Sequence, residues 1–295
     1  MIDYHLHVWP HEPGTPTPTL ELLDSYWRQA QAAGLERIAI TEHSHRFVQI
    51  GSAVSGFWAA EPPAPADATA QVWATEQGAD LDAYCDSVLA AQVEGLPVEL
   101  GIEVDLLPGR VEAMAKVLAG YPFDVRLGSV HWLGAWLFDA YGTDVFAAEW
   151  DVRGVETAWW DYLTAFGELA GSGLGEVLAH CDLIKIARRF PDLAMRADFE
   201  NRLVEVVAAS GLAVEVSSAG WRKAVAEQYP SQSILEQLHQ AGVEITLGSD
   251  AHVPDQVAFE YGRLVDLVRG TGFTHVVAFP AGSKTPIALD PAPTA

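Results

Sequence analysis

Residues 1–11 are MIDYHLHVWPH, a short β-like run in which imidazoles appear as the apolar pattern gives out. His5 and His7 are two apart, so an extended chain projects both to one side, where they can reach a common ion. His11 follows four residues later, just past Pro10. The fold depends on whether this construction occurs once or is repeated.

It is repeated. RIAITEH (37–43), VELGIEVD (98–105), VRLGSVHW (125–132), EVLAHCD (176–182), AVEVSSAG (213–220) and EITLGSDAH (244–252) are further β-rich runs. Glu42 and His43 end the second run and Glu103 the third. His131 ends the fourth, His180 the fifth, and Asp250 and His252 the seventh. Helical patterns lie between the runs. In TLELLDSYWRQAQAAG (19–34), Leu20, Leu23, Trp27 and Ala30 recur at helical spacing, with Thr19 as N-cap and Gly34 as stop. Residues 199–210 and 232–241 repeat the pattern. Such alternation indicates a parallel sheet with crossover helices, and seven units favour a closed α/β barrel over an open sheet. In a barrel the C-terminal strand ends converge on one face, so the polar residues above are expected to meet there.

Two stretches break the rhythm. Residues 52–78 are rich in Ala, Pro and Trp, and residues 133–160 contain WLFDAYGTDVF and a Trp pair. Both follow strand ends and are expected to shape a substrate pocket or lid. TPIALDPAPTA (285–295) is expected to be a frayed tail.

Composition narrows the function. Forty acidic residues against 17 Lys and Arg give a formal charge of −23, which argues against nucleic acid and anionic membranes as partners. No apolar run is long enough to span a bilayer, and the start lacks the basic and apolar regions of a signal peptide. A cytoplasmic protein acting on a small molecule is expected, and its oligomeric state is left open. Cys85 and Cys181 form no CxxC pattern and are expected to be buried free thiols.

A lone histidine such as His239 or His275 is ordinarily a surface or satisfied residue. Histidines and carboxylates at equivalent ends of successive strands are another matter. Imidazole with carboxylate is a donor set for Zn, Fe or Mn. One ion takes four to six ligands, so this number of donors fits two or three ions better.

HLH, TEH, GIEVD, SVH, AHCD and SDAH, in that order over nearly the whole chain, resemble the PHP (polymerase and histidinol phosphatase) family of metal-dependent phosphoesterases. The resemblance implies one PHP-type domain over residues 1–295, folded as a distorted seven-stranded TIM-like barrel with a trinuclear centre. On that basis His5, His7, Glu103 and Asp250 would hold the first ion. Glu103 would bridge to a second, completed by His131 and His180. His43 and His252 would hold the third together with His11, for which His45 is the rival. Glu103, Asp250 and His252 would be catalytic, the proton for the leaving oxygen coming from Asp250, His252 or a metal-bound water, alternatives between which the sequence does not choose.

SSAGWRKAVAEQYPS (217–231) resembles the AG-x-RK…YP segment of the histidinol-phosphate phosphatase branch, and GIEVDLLPG and AHCDLIK are similar to it. The branch implies hydrolysis of L-histidinol phosphate to L-histidinol and phosphate, a step of histidine biosynthesis. Another phosphate ester (nucleotide, sugar or cyclic) is the alternative substrate, and a non-catalytic metal-binding domain is the more remote one. A phosphate dianion in so acidic a chain needs cations of its own. Arg222 is expected to bind it bidentately, with Lys185 and Arg188 as further candidates, while Lys223 is read as a solvated loop residue.

Overall fold

The computed structural model describes residues 1–10, 14–60, 63–140 and 142–289. The barrel begins with β1 (Ile2–Asp3), β2 (Arg37–Ile40), β3 (Val98–Asp105) and β4 (Val125–Ser129). A short antiparallel hairpin follows, β5 (Trp132–Leu133) with β6 (Trp136–Leu137). Then β7 (Val177–Leu178), β8 (Ala213–Ser217) and β9 (Ile245–Gly248) complete a seven-stranded parallel sheet in the order β1-β2-β3-β4-β7-β8-β9. The two edges meet: Tyr4 N–H donates to Leu247 O at 2.9 Å, and His7 N–H to Ala251 O at 2.7 Å. The result is a nearly closed, distorted (β/α)7 barrel of the TIM type. Its distortion is visible in β1 and β7, each only two residues long.

The crossovers are helical. Helix α1 (Leu20–Ala32) precedes β2, and α2 (Val48–Val54), α3 (Pro63–Glu76) and α4 (Leu81–Val93) precede β3. Helix α5 (Val111–Leu118) leads to β4, α6 (Asp144–Arg153) and α7 (Val155–Gly171) to β7, and α8 (Leu193–Ser210) to β8. Helix α9 (Gln232–Gln240) precedes β9, and α10 (Tyr261–Thr271) follows it. Thr19 caps α1 as its sequence predicts, its hydroxyl accepting from Leu22 N–H, and Gly34 takes a φ of +76° just beyond the helix. Alternate residues of the barrel strands, such as Ile38, Ile40, Leu100, Ile102 and Leu247, are fully buried. Tightly packed strands flanked by helices bury both faces, which is why these runs are apolar almost throughout.

The chain end departs from expectation. Thr285–Ala288 forms β11, paired antiparallel with β10 (His275–Ala278), so the tail is not frayed there. Val276 and Val277 are buried on this hairpin, and that burial fixes a segment whose composition alone suggested a loose end. Among the described residues, no helix is long and apolar enough to cross a membrane. Both cysteines are buried and free.

The stretches at 52–78 and 133–160 become α3, the β5–β6 hairpin and α6, which pack against one another over the strand ends. Most of their tryptophans turn inward: Trp136 meets Trp150 edge to face at 4.9 Å, and Trp58 lies 5.4 Å from Trp73. Large rings gain most by burial against each other, and these extend the main core: Trp136 and Trp150 pack in one cluster with residues of α7 and α8, Phe57 and Trp73 in another with residues of β2 and β3.

Candidate metal centre

Every barrel strand except β8 delivers an expected ligand to one place at its C-terminal end, Glu103 from the last residues of β3 and the others from just beyond their strands. The isolated parallel bridges Leu6–Ala251 and His43–Glu103 mark the level at which the strands open. His5, His7, His43, Glu103, His131 and His180 are buried, and Asp250 and His252 are partly so. His11 lies outside the described residues.

Glu103 occupies the middle. Its Oε2 is 2.7 Å from His43 Nδ1, 3.5 Å from His5 Nε2 and 3.6 Å from His7 Nε2. Its Oε1 is 3.0 Å from His180 Nε2 and 3.6 Å from His131 Nε2. Asp250 Oδ1 stands 3.3 Å from His7 Nε2, 3.8 Å from His5 Nε2 and 3.7 Å from His252 Nδ1. Several of these separations are long for hydrogen bonds, and the buried His5 Nε2 and His7 Nε2 make none. Two atoms bound to one ion at roughly 2.1 Å lie about 3–3.5 Å apart, so the spacing suits shared cations. Three-residue groups able to hold an ion include His5 with His7 and Asp250, His5 with Glu103 and His180, His43 with Glu103 and His131, and His7 with His43 and His252.

The electrostatics point the same way. Burial opposes ionisation of Glu103, but His5, His43 and His131 override it and hold the carboxyl well below its ordinary range. Asp250 is likewise held down, against burial, chiefly by His5 and His7. Burial also opposes a charged His5, yet Glu215, Glu103 and Asp250 raise it well above its usual value. His43 is pushed well below its usual value by burial and by His7, which leaves a neutral imidazole of the kind metals bind. Buried anions require cations beside them. A protonated His5 can supply that charge, and divalent ions bound among neutral imidazoles would supply it instead. The residues fit a divalent-metal site.

A ring of outer carboxylates aims the ligands. Glu215, buried in β8, accepts from His5 Nδ1 at 2.8 Å and from the His180 backbone N–H at 2.9 Å. Asp105 accepts from His131 Nδ1 at 2.6 Å and from His45 Nδ1 at 3.1 Å. Glu42 accepts from the backbone N–H groups of Val8 and Trp9, which pins the chain leaving the His5–His7 pair. Such partners orient metal-binding rings and fix their tautomers. Both nitrogens of His45 are engaged by carboxylates, the second by Glu76 at 2.9 Å. Strand alternation could have revealed Asp105, two residues beyond Glu103 and so on its side of β3. Glu215 announces itself as an acid inside the apolar AVEVS run.

Two cavities open onto the cluster. The inner one, about 50 Å³, is walled by Glu103, His131, His180, Asp250 and His252, with Asp139 and Lys223 among its other lining residues. The outer one, about 490 Å³, shares His43, His131, Asp139, Ile186 and Lys223 with it and adds Glu76, His45 and Trp132. Trp132 is the tryptophan that lines it.

The cations expected at phosphate are placed as follows. Arg222 donates from Nη2 to the carbonyl oxygens of Ser249 and Asp250, and its guanidinium lies 5.2 Å from the Phe259 ring centre. Lys185 is buried between Asp182 at 2.7 Å and Glu227 at 2.8 Å and donates to Gln228 O. Arg188 is exposed. None of the three lines either cavity.

A parallel barrel with an imidazole–carboxylate cluster at its C-terminal mouth defines a metal-binding α/β-barrel protein. The chain belongs to the PHP domain family, whose model matches residues 17–219. It is 33% identical over 277 residues to a protein of Deinococcus radiodurans named "Probable histidinol-phosphatase", covering 92% of this chain and 94% of that one. A protein of the same name from Schizosaccharomyces pombe is 24% identical over 195 residues, 62% of each chain. Among solved structures, the histidinol phosphate phosphatase of Lactococcus lactis, crystallised with zinc, L-histidinol and phosphate, superposes with a TM-score of 0.70. It is 20% identical, over 96% of this chain and 98% of that one, and so supports the fold.

Proposed function

We propose that this chain is a phosphomonoesterase that hydrolyses L-histidinol phosphate to L-histidinol and phosphate at a centre of two or three divalent transition-metal ions. The observation that carries the reading is Glu103, whose two oxygens face different imidazoles, as a carboxylate bridging two ions requires. His5, His7, Glu103 and Asp250 would hold one ion, Glu103, His131 and His180 a second, and His43 and His252 a third. The nitrogen and oxygen donors suit Zn, Fe or Mn. Ions bound here would supply Lewis acidity toward the phosphate and acidify water. The chain itself narrows the inner cavity to about 50 Å³, keeps Glu103 and Asp250 ionised, and offers Asp250 and His252 at its wall to take the proton of the attacking water and pass it to the leaving oxygen.

The outer cavity suits the far end of this substrate. Histidinol phosphate carries an ammonium and an imidazole beside its dianion, and the cavity presents Glu76, Asp139 and the Trp132 ring. Carboxylates pair with an ammonium, and aromatic faces attract cations more strongly when water is excluded. The similarity to the Deinococcus radiodurans protein, over almost all of both chains, favours the same substrate.

The test is a panel of phosphate monoesters with metal analysis. Histidinol phosphate should exceed simple alkyl phosphates in kcat/KM by at least ~100-fold, which needs only about 2.7 kcal/mol of differential binding. Equal rates on all esters, or preference for a nucleotide, would refute the substrate. A single ion per chain, with an unaffected Glu103→Gln variant, would refute the multinuclear centre.

A further inference from the structure

We infer that Lys223 is the side chain that meets the substrate's phosphate from the protein side, a role for which Arg222, Lys185 and Arg188 are differently placed. The inference rests on the phosphatase reading above. A phosphate dianion approaching a chain of net charge −23 is repelled unless a cation stands at the point of entry. The inner cavity is walled by imidazoles, the carboxylates of Glu103, Asp139 and Asp250, and four other side chains, Leu183, Ile186, Tyr229 and Lys223. Among the described residues, Lys223 is the only Lys or Arg that lines it. Among the described residues it is also the only Lys or Arg lining the outer cavity, so it stands where the two join. That junction is where the phosphorus–oxygen bond of a substrate would lie, with its phosphate inward and its leaving group outward.

The anchoring suits the role. Lys223 N–H donates to Gly220 O at 3.1 Å, and Lys223 O accepts from Ala226 N–H at 3.0 Å, so both backbone groups are tied down. The loop closes tightly at Gly220, where a Cβ would come within 1.9 Å of Glu227 O. The side chain is exposed and long, so its ammonium can swing to the junction from a fixed Cα. Asp139, lining both cavities, lies within Coulombic reach of it. Arg222, by contrast, commits Nη2 to two backbone carbonyls, and Lys185 meets two carboxylates.

The experiment compares metal-loaded wild type with Lys223→Met and Lys223→Arg. It measures calorimetric affinity for inorganic phosphate, steady-state kinetics on histidinol phosphate, and metal content. Lys223→Met should weaken phosphate binding about 10- to 100-fold, the scale of a lost charge-assisted contact. It should raise KM in similar proportion with metal content unchanged, and Lys223→Arg should recover most of both. Unchanged phosphate affinity in Lys223→Met would overturn the assignment, as would an arginine variant no better than methionine. If wild type bound phosphate in a Lys223-dependent way yet left histidinol phosphate intact, the substrate would fall and the role of Lys223 would stand.

Discussion

Arg222 Nη2 donates to the carbonyl oxygen of Asp250 at 2.9 Å and to that of Ser249 at 2.8 Å, at the turn where Asp250 takes a left-handed φ of 51°. A residue with a Cβ holds that conformation at a cost of roughly 1–2 kcal/mol, so outside contacts must fix it. The guanidinium does this from beside Phe259 and so aims the Asp250 carboxylate at His5 and His7. Arg222→Ala should therefore weaken metal retention about 10- to 100-fold in a chelator titration, the usual effect of losing an outer partner of a ligand. Its affinity for phosphate, once fully loaded with metal, should stay within a few-fold of wild type.

Glu215 bridges β1 and β7 by accepting from His5 Nδ1 and from His180 N–H. Glutamine offers one acceptor where glutamate offers two, so Glu215→Gln must forfeit one of these bonds. Metal affinity should again drop about 10- to 100-fold. A second route reaches the same pair. A Cβ at Gly248 would come within 2.0 Å of Glu215 Oε1 and 2.8 Å of His5 Cβ. Gly248→Ala should displace the carboxylate and reproduce the Glu215→Gln loss, as metal analysis after dialysis would show.

The two thiols should be silent. Burial pushes Cys85 up to about 12, aided by Asp82 and Asp86, and drives Cys181 well above the usual thiol range. A thiol without its thiolate is a poor nucleophile. An aromatic disulfide reagent at pH 8 should label neither cysteine in the native protein and both after denaturation. Rapid native labelling of either would contradict the packing of α4 or of the turn after β7.

Much of the site was legible because strand geometry is periodic. Once seven β-runs are aligned, ligands at their ends must converge, and eight of the nine expected metal ligands lie together, His11 alone falling outside the described residues. The placement of cations was less legible. Whether Arg222 or Lys223 faces the cavity depends on a turn over residues 219–227, and adjacent residues in a turn have no fixed period to read. Helix α8 begins at Leu193, capped by Asp192, six residues ahead of the apolar pattern that marked it, because capping is a local hydrogen-bond event. The stretches 52–78 and 133–160, expected to shape a pocket, do line the outer cavity with Val72, Glu76, Leu137 and Asp139, while most of their tryptophans pack inward and the ring at the wall is Trp132, just ahead of the second stretch.

Glu99, near the N-terminal end of β3, should make stability depend on pH. It is fully buried in β3, with Arg37 Nη1 at 3.0 Å, and burial raises its carboxyl to about 7, Tyr4 and Arg37 only partly offsetting this. In the unfolded chain the same group titrates near 4.5. Between these two values the folded state binds more protons than the unfolded state, so unfolding releases a proton and stability falls as pH rises. Below about 4.5 both states are protonated and the contribution is level. Above about 7 both are ionised, and the full cost of burying the charge persists. Glu99→Gln keeps the shape of the protonated acid and removes the titration. Relative to wild type, the variant should gain roughly 1–3 kcal/mol at pH 8, and this gain should shrink toward zero as pH approaches 4.5. Thermal melts of both proteins across that range would check it, provided metal loading is matched. A wild-type-minus-variant difference that stayed flat with pH, or grew toward acid, would show that Glu99 is ionised throughout and that Arg37 fully compensates its burial.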